Sequence, residues 1–204
     1  MSLFVTQWVK RARLLASVLA VVALTGCASF YVDGNTKDVP TSSFHKAEPL
    51  HPVQVLFEFQ TKGVANARAT ASTKTRVLDQ IKASGLFSEV SDQPVTGGAS
   101  LSVVVDNVPL TDNAFSKGFV TGLTFGLAGS KVSDGYVCST SYRSSSDAEP
   151  IVKKARHAIH TTIGASSEPA NATKAASIED AVTKMLHQII SNVLNDMSND
   201  PAFK

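Results

Sequence analysis

Four segments of this chain have the pattern of β-strands, either with apolar and polar residues in alternation or, as over Leu101–Val108, with apolar residues on much of both faces. The clearest segment runs from Val53 to Gln60, where every second residue is a valine or a phenylalanine. Three further segments with strand character follow at Leu101–Val108, Gly135–Arg143 and Ile151–Ile163. The polar loop over 144–150 joins the last two segments and suits an antiparallel hairpin.

Two other segments have the spacing of amphipathic helices. Ala67–Ser84 is rich in alanine and is followed by Gly85, which stands where a helix C-terminal cap is expected. The second helix is predicted to begin at Ser177, which with Asp180 resembles a capping box, and to end before Pro201. Its apolar stripe consists of Val182, Met185, Leu186, Ile189, Val193, Leu194 and Met197.

The order of these elements, β-α-β-β-β-α, predicts an α+β fold. We expect a single two-layer sandwich, with about four strands in a mostly antiparallel sheet and both helices on one face of it. Leu86–Val90 is a short apolar segment that is expected to lead into an edge of the sheet. Residues 53–200 are therefore predicted to form one domain.

The N-terminal residues have the layout of a secretory signal. Three basic residues precede the apolar run 14–24, which is too short to cross a bilayer as a helix. The motif Leu24-Thr25-Gly26-Cys27 then resembles the bacterial lipobox. This resemblance implies that residues 1–26 are a lipoprotein signal peptide and that Cys27 carries a covalent lipid, with no other cofactor expected. The lipid would anchor the mature chain to a membrane.

Residues 27–52 are predicted to form the lipidated cysteine and a flexible tether. Prolines at positions 40, 49 and 52 punctuate a polar stretch that shows no sustained period. Fully extended, this stretch would reach about 80 Å. Ala28 stands where enteric lipoproteins carry the aspartate that retains them in the inner membrane, so the resemblance favours the bacterial outer membrane, with the domain facing the periplasm.

The charge of the chain bears on its partners. Of the 19 Lys and Arg residues, three lie in residues 1–26, which contain none of the 17 Asp and Glu residues. The mature chain therefore carries 16 basic and 17 acidic residues. A nucleic-acid partner is not expected, since such binding needs a concentrated basic surface.

Residues with catalytic or metal-binding chemistry are few, and no catalytic residue or metal site is predicted. His157 and His160 would share a face in a helix, but in a strand their odd spacing places them on opposite faces. We expect His157 to be half-buried and His160 to be solvated. Cys138 has no basic neighbour on its strand face and is expected to be a small buried hydrophobe. The chain is therefore not predicted to be an enzyme.

An apolar, glycine-rich insertion over 114–130 separates the second and third strands. As a helix, Gly118–Gly129 would carry a glycine on one face at every fourth position, which lets another backbone approach closely. As a strand, Phe119–Gly129 has the length that spans a bilayer when tilted, which would require several copies to close a barrel. Alternatively, its aromatic side chains pack back on the domain. The predicted contact residues are Phe115, Gly118, Phe119, Gly122, Leu123, Phe125, Gly126 and Leu127.

The fragment Ser84-Gly85-Leu86-Phe87, with Val90 after it, resembles a phrase found in small envelope lipoproteins of the LptE type, in CsgG-type secretion lipoproteins and in the N-terminal domain of TolB. The order of elements is also similar to that of LptE. The resemblance implies a non-enzymatic periplasmic domain that binds other envelope components. The first hypothesis is an assembly, scaffold or transport-accessory subunit that contacts other envelope proteins or itself. The alternative is a homo-oligomeric pore or secretion-channel component that inserts Gly118–Gly129 into the membrane.

Overall fold

The computed structural model describes residues 28–109, 131–164 and 167–204, and all strands of these ranges belong to one mixed sheet. The strands are β1 (Ala28–Asp33), β2 (Pro52–Thr61), β3 (Val64–Ala65), β4 (Glu89–Ser91), β5 (Ser100–Pro109), β6 (Lys131–Arg143), β7 (Ile151–Ile163) and β8 (Ala172–Ala175). The helices are α1 (Ala67–Ala83) and α2 (Ile178–Ser198), and one 3-10 turn covers Thr41–Ser43.

The predicted α+β architecture with two helices is confirmed, but the predicted number of strands was wrong. The sheet has eight strands in the order β3-β2-β5-β6-β7-β1-β8, and β4 pairs with β2 outside this path. β2 runs parallel to β4 and β5, whereas the other neighbours are antiparallel. Three of the four additional strands have two to four residues. Such short segments show too little alternation to be recognised.

The first backbone N–H groups of a helix have no acceptor within the helix, and in both helices a side chain before the first turn accepts from one of them. Asn66 accepts a hydrogen bond from the backbone N–H of Ala69 at the start of α1. Ser177 accepts one from the N–H of Asp180 at the start of α2, as the sequence predicts. Gly85 follows α1 with a φ of +67°, a left-handed conformation that favours glycine after a helix.

The core lies between the helices and one face of the sheet. Alternate side chains of β2, β5, β6 and β7 point to this face and join the apolar stripes of α1 and α2 in a single cluster. The fully buried members of the helical stripes include Val77, Ile81, Met185, Ile189 and Val193. On the other face, Leu56 of β2 and Val152 of β7 are half exposed. The described part of the chain is therefore a helical layer on a sheet layer.

The segment 28–52 was predicted to be a flexible tether, and the structure corrects this prediction. Its first residues form β1, which lies between β7 and β8, and Val32 of β1 is 3% exposed. The following residues run along α2, where the N–H of Val39 donates to Oγ of Ser191 at 3.0 Å. Phe44 is also buried in the core. Strand pairing and burial of apolar side chains hold this segment against the domain.

Candidate functional site

The termini of four neighbouring strands, β5, β6, β7 and β1, lie towards one end of the sheet. β1 begins there with Ala28, which pairs with Ile163 of β7. β6 also begins there with Lys131, which pairs with Thr162 of β7. Because β1 and β6 flank β7, Ala28 and Lys131 lie two strand spacings apart, about 10 Å. β5 ends nearby at Pro109, opposite Asp134 of β6.

Both sites that the sequence predicts are attached to this end. Cys27 directly precedes Ala28, and the insertion over 114–130 belongs to the connection between Pro109 and Lys131. Cys27 and the insertion themselves lie outside the described residues. So do the eight predicted contact residues, Phe115, Gly118, Phe119, Gly122, Leu123, Phe125, Gly126 and Leu127. The predicted lipid anchor and the predicted contact segment therefore leave the domain at one end of its sheet.

The surface of this end is uncharged where β1 and β7 meet. No charged residue occurs in 28–32 or in 161–164, and Ile163 is 50% exposed. α2 begins at the same end, because Ala175, shortly before it, pairs with Phe30 of β1. The first residue of α2, Ile178, is 41% exposed. We call the surface formed by residues 28–29 and 163–164 the anchor end.

Charged residues lie at the opposite end of the same elements. Nζ of Lys153, near the start of β7, lies 2.7 Å from a carboxylate oxygen of Asp200, which follows α2. This ion pair also shows that α2 runs antiparallel to β7.

A buried polar pair joins the last residue of β1 to the last part of β7. Nε2 of His160 lies 3.1 Å from Oδ2 of Asp33, and the two side chains are 3% and 0% exposed. Burial alone would raise the pKa of Asp33, but hydrogen bonds from His160 and from the N–H of Asn35 outweigh it and hold this pKa below its usual value. The pair therefore favours an ionised Asp33.

The prediction that His160 is solvated was wrong. His160 is 2% exposed because β1 pairs with β7 and places Asp33 beside it. Tyr31 of β1 is also buried, and its hydroxyl donates to a carboxylate oxygen of Glu168 at 3.3 Å. Nothing in the sequence near His160 indicates this environment, since Asp33 is 127 positions away.

His157 lies on the helix face of β7 and is more deeply buried than predicted. Its Nδ1 accepts a hydrogen bond from the N–H of Ala158 at 2.8 Å, so Nε2 carries the proton and donates to Oε1 of Gln188 at 2.7 Å. Burial lowers the pKa of His157 and keeps the ring neutral. Among the described residues, no three His, Cys, Asp or Glu side chains are grouped so that they could hold a metal ion.

Cys138 is completely buried on β6, in agreement with its predicted role as a small hydrophobe. Desolvation raises the pKa of its thiol to about 12. At neutral pH the sulfur is therefore protonated and has no access to solvent, which is the opposite of what a nucleophile needs.

A groove between α1 and α2 was not predicted from the sequence. It encloses a cavity of about 410 Å³ that the 39–44 segment closes on one side. Its apolar lining includes Val39, Phe44, Val77, Leu186 and Leu194. The apolar stripes of both helices were visible in the sequence, but the gap between the helices depends on how they pack across the sheet.

Comparisons with known proteins return little. No family model matches the chain, and no curated protein matches it. Among solved structures, the chain is similar to a PelC variant from Paraburkholderia phytofirmans, a dodecamer, with a TM-score of 0.36, 13% identity, and coverage of 85% of this chain and 98% of that chain. A second PelC dodecamer from the same organism gives a TM-score of 0.33 and 9% identity over 83% and 99%. Likenesses at this distance carry no argument about function.

No helix in the described ranges is long and apolar enough to cross a bilayer.

Proposed function

We propose that this chain is an outer-membrane lipoprotein, held to the membrane by lipid on Cys27. In this proposal its α+β domain faces the periplasm and is a non-enzymatic assembly, scaffold or transport-accessory subunit of the cell envelope. Gly118–Gly129 is the contact surface, and its partners are other envelope proteins or further copies of the chain.

The observation that carries this proposal is the pairing of Ala28 and Lys131 with adjacent residues of β7. This register attaches the proposed anchor and the proposed contact segment to the domain about 10 Å apart. A contact segment in this place would meet partners that are themselves in the membrane or at its surface. Large apolar segments of this kind are typical of contact surfaces.

The same register also favours the alternative, a homo-oligomeric pore or secretion-channel component. A segment that starts beside the lipid anchor needs no long connection to reach the hydrocarbon layer. The segment from Phe119 to Gly129 has about the length of a tilted transmembrane strand. A single strand has unpaired edges, so this alternative requires several copies of the chain.

Replacing Gly118–Gly129 by a Gly/Ser segment of the same length tests the proposal. The matched control replaces the exposed loop 144–150 in the same way. We expect the first variant to stay folded and membrane-bound but to lose the proteins that co-purify with the wild type in mild detergent, whereas the control retains them. Unchanged co-purifying proteins in a folded first variant would refute the contact surface.

Two further measurements separate the proposal from its alternative. Light scattering after size exclusion gives the mass of the detergent-extracted complex, and a scaffold is expected to run as a monomer, with different chains, or with further copies that leave Phe119–Gly129 open to protease in liposomes. A discrete homo-oligomer, together with protease protection of Phe119–Gly129 in liposomes, would favour the pore instead.

A further inference from the structure

The distance between the proposed anchor and the folded domain is set by the covalent chain. Cys27 and Ala28 are consecutive, so their Cα atoms are about 3.8 Å apart. Ala28 is already part of β1 and pairs with Ile163. A flexible tether over 27–52 would have let the domain move some 80 Å from the membrane, but the structured segment leaves no such slack.

We propose that the anchor end, residues 28–29 and 163–164, rests on the phospholipid surface, and that β7 points its other end away from the membrane. This inference rests on the proposed lipid on Cys27 and adds the part of the domain that lipid contacts. The partner is the interface of the bilayer, where the headgroups meet the acyl chains.

The chemistry of the anchor end fits this partner. Bringing a charged side chain against apolar material costs desolvation free energy, and residues 28–29, where β1 begins, and 163–164, where β7 ends, are uncharged. The neighbouring strand β6 begins at this end with the basic residue Lys131. The side chain of Ile163, which is 50% exposed at this end, has no polar atom that would lose hydrogen bonds on leaving water. Burying apolar surface of this size against lipid acyl chains is favourable.

β1 is also held firmly enough to transmit the position of the anchor. It pairs with β7 on one side and with β8 on the other, and the Asp33–His160 pair lies 3.1 Å apart between β1 and β7. A lipid on Cys27 would therefore hold one end of the whole sheet at the membrane, and not only a loose peptide. β7 then rises from the bilayer, and Val152 lies about 36 Å along the strand from Ile163.

Val152 and Ile163 make a matched pair for a depth measurement. They lie on one strand, and their side chains are 53% and 50% exposed. Each residue is replaced in turn, Ile163→Cys or Val152→Cys, in the lipidated full-length protein, and labelled with an environment-sensitive fluorophore. Wild-type protein treated in the same way gives the background labelling, which should be low because its Cys138 is buried. The proteins are reconstituted into phosphatidylethanolamine and phosphatidylglycerol vesicles that contain nitroxide-labelled lipids.

We expect the fluorophore at position 163 to be quenched by nitroxide lipids and the one at position 152 to keep its emission. Equal quenching at both positions, stronger quenching at 152, or none at 163 in vesicle-bound protein would overturn the orientation alone. Flotation and the intact mass of the same samples report on the anchor separately. A chain without lipid on Cys27 would overturn the proposed function, and the orientation with it.

Discussion

Nε2 of His160 lies 3.1 Å from a carboxylate oxygen of Asp33, and both side chains are almost completely buried. The pair connects the last part of β7 to the end of β1, across 127 positions of sequence. It makes the segment that follows Cys27 an integral part of the sheet. The structure thus joins the proposed membrane anchor to the domain core without an intervening linker.

Removing the charge of Asp33 is expected to destabilise the fold. In Asp33→Asn the side chain keeps its shape, but a neutral amide replaces the carboxylate that accepts hydrogen bonds from His160 and Asn35, and losing such charge-assisted hydrogen bonds is expected to cost about 1.5 kcal/mol. Urea unfolding followed by circular dichroism measures the loss. Asp92→Asn is the control, because Asp92 pairs with Lys74 on the exposed surface, and it should leave the midpoint unchanged. A wild-type midpoint for Asp33→Asn would mean that the pair is not formed.

A second prediction concerns β1 as part of the core. Val32→Ser removes buried methyl groups and inserts a hydroxyl into the cluster, and we expect a loss of about 2 kcal/mol. Val64→Ser is the matched control, because Val64 is 69% exposed, and its effect should stay within about 0.5 kcal/mol. Thermal or urea unfolding compares the two variants. Equal stability would show that residues 28–33 act as the tether that the sequence suggests.

The stability of the domain is expected to fall as the pH drops below about 6.5. The unfolded chain takes up a proton on His157 near that pH, whereas burial lowers the pKa of His157 in the folded chain, so acid favours unfolding. His157→Gln should flatten the dependence of the urea midpoint on pH between about pH 7 and about pH 5. A wild-type slope in His157→Gln would contradict the buried neutral ring.

Cys138 is expected to resist alkylation in the folded protein. Its thiol is fully buried, and burial raises its pKa to about 12. At about pH 8 the thiol is therefore protonated, and the alkylating reagent cannot reach the sulfur. Iodoacetamide should therefore leave the peptide that contains Cys138 unmodified in native protein. After denaturation in urea, the same peptide should carry one adduct. Fast modification of native protein would indicate that β6 opens.

The longer elements were predictable from local patterns. The alternation over Val53–Gln60 predicts β2, and the Ser177 cap with the apolar stripe after it predicts α2, because these signals lie within one element. β1 was missed because Phe30, Tyr31 and Val32 are consecutive apolar residues without alternation, next to an Asp-Gly-Asn turn signal. Its strand character comes from pairing with β7, far away in sequence.

The candidate site was predictable only in its parts. The lipobox at Cys27 and the glycine spacing of Gly118–Gly129 are local motifs that the sequence displays. Their attachment at one end of the sheet follows from the register that pairs Ala28 and Lys131 with neighbouring residues of β7. Register is decided by the packing of whole strands, which no local pattern contains.

The proposal of a lipid anchor at the end of the sheet is tested most directly by the intact mass of the protein extracted from bacterial membranes, beside a Cys27→Ser variant. We expect the wild-type chain to begin at Cys27 and to carry the added mass of a lipid, and the variant to lack that mass and to leave the membrane fraction. An unmodified wild-type chain, or a variant that stays in the membrane fraction as the wild type does, would contradict the proposal.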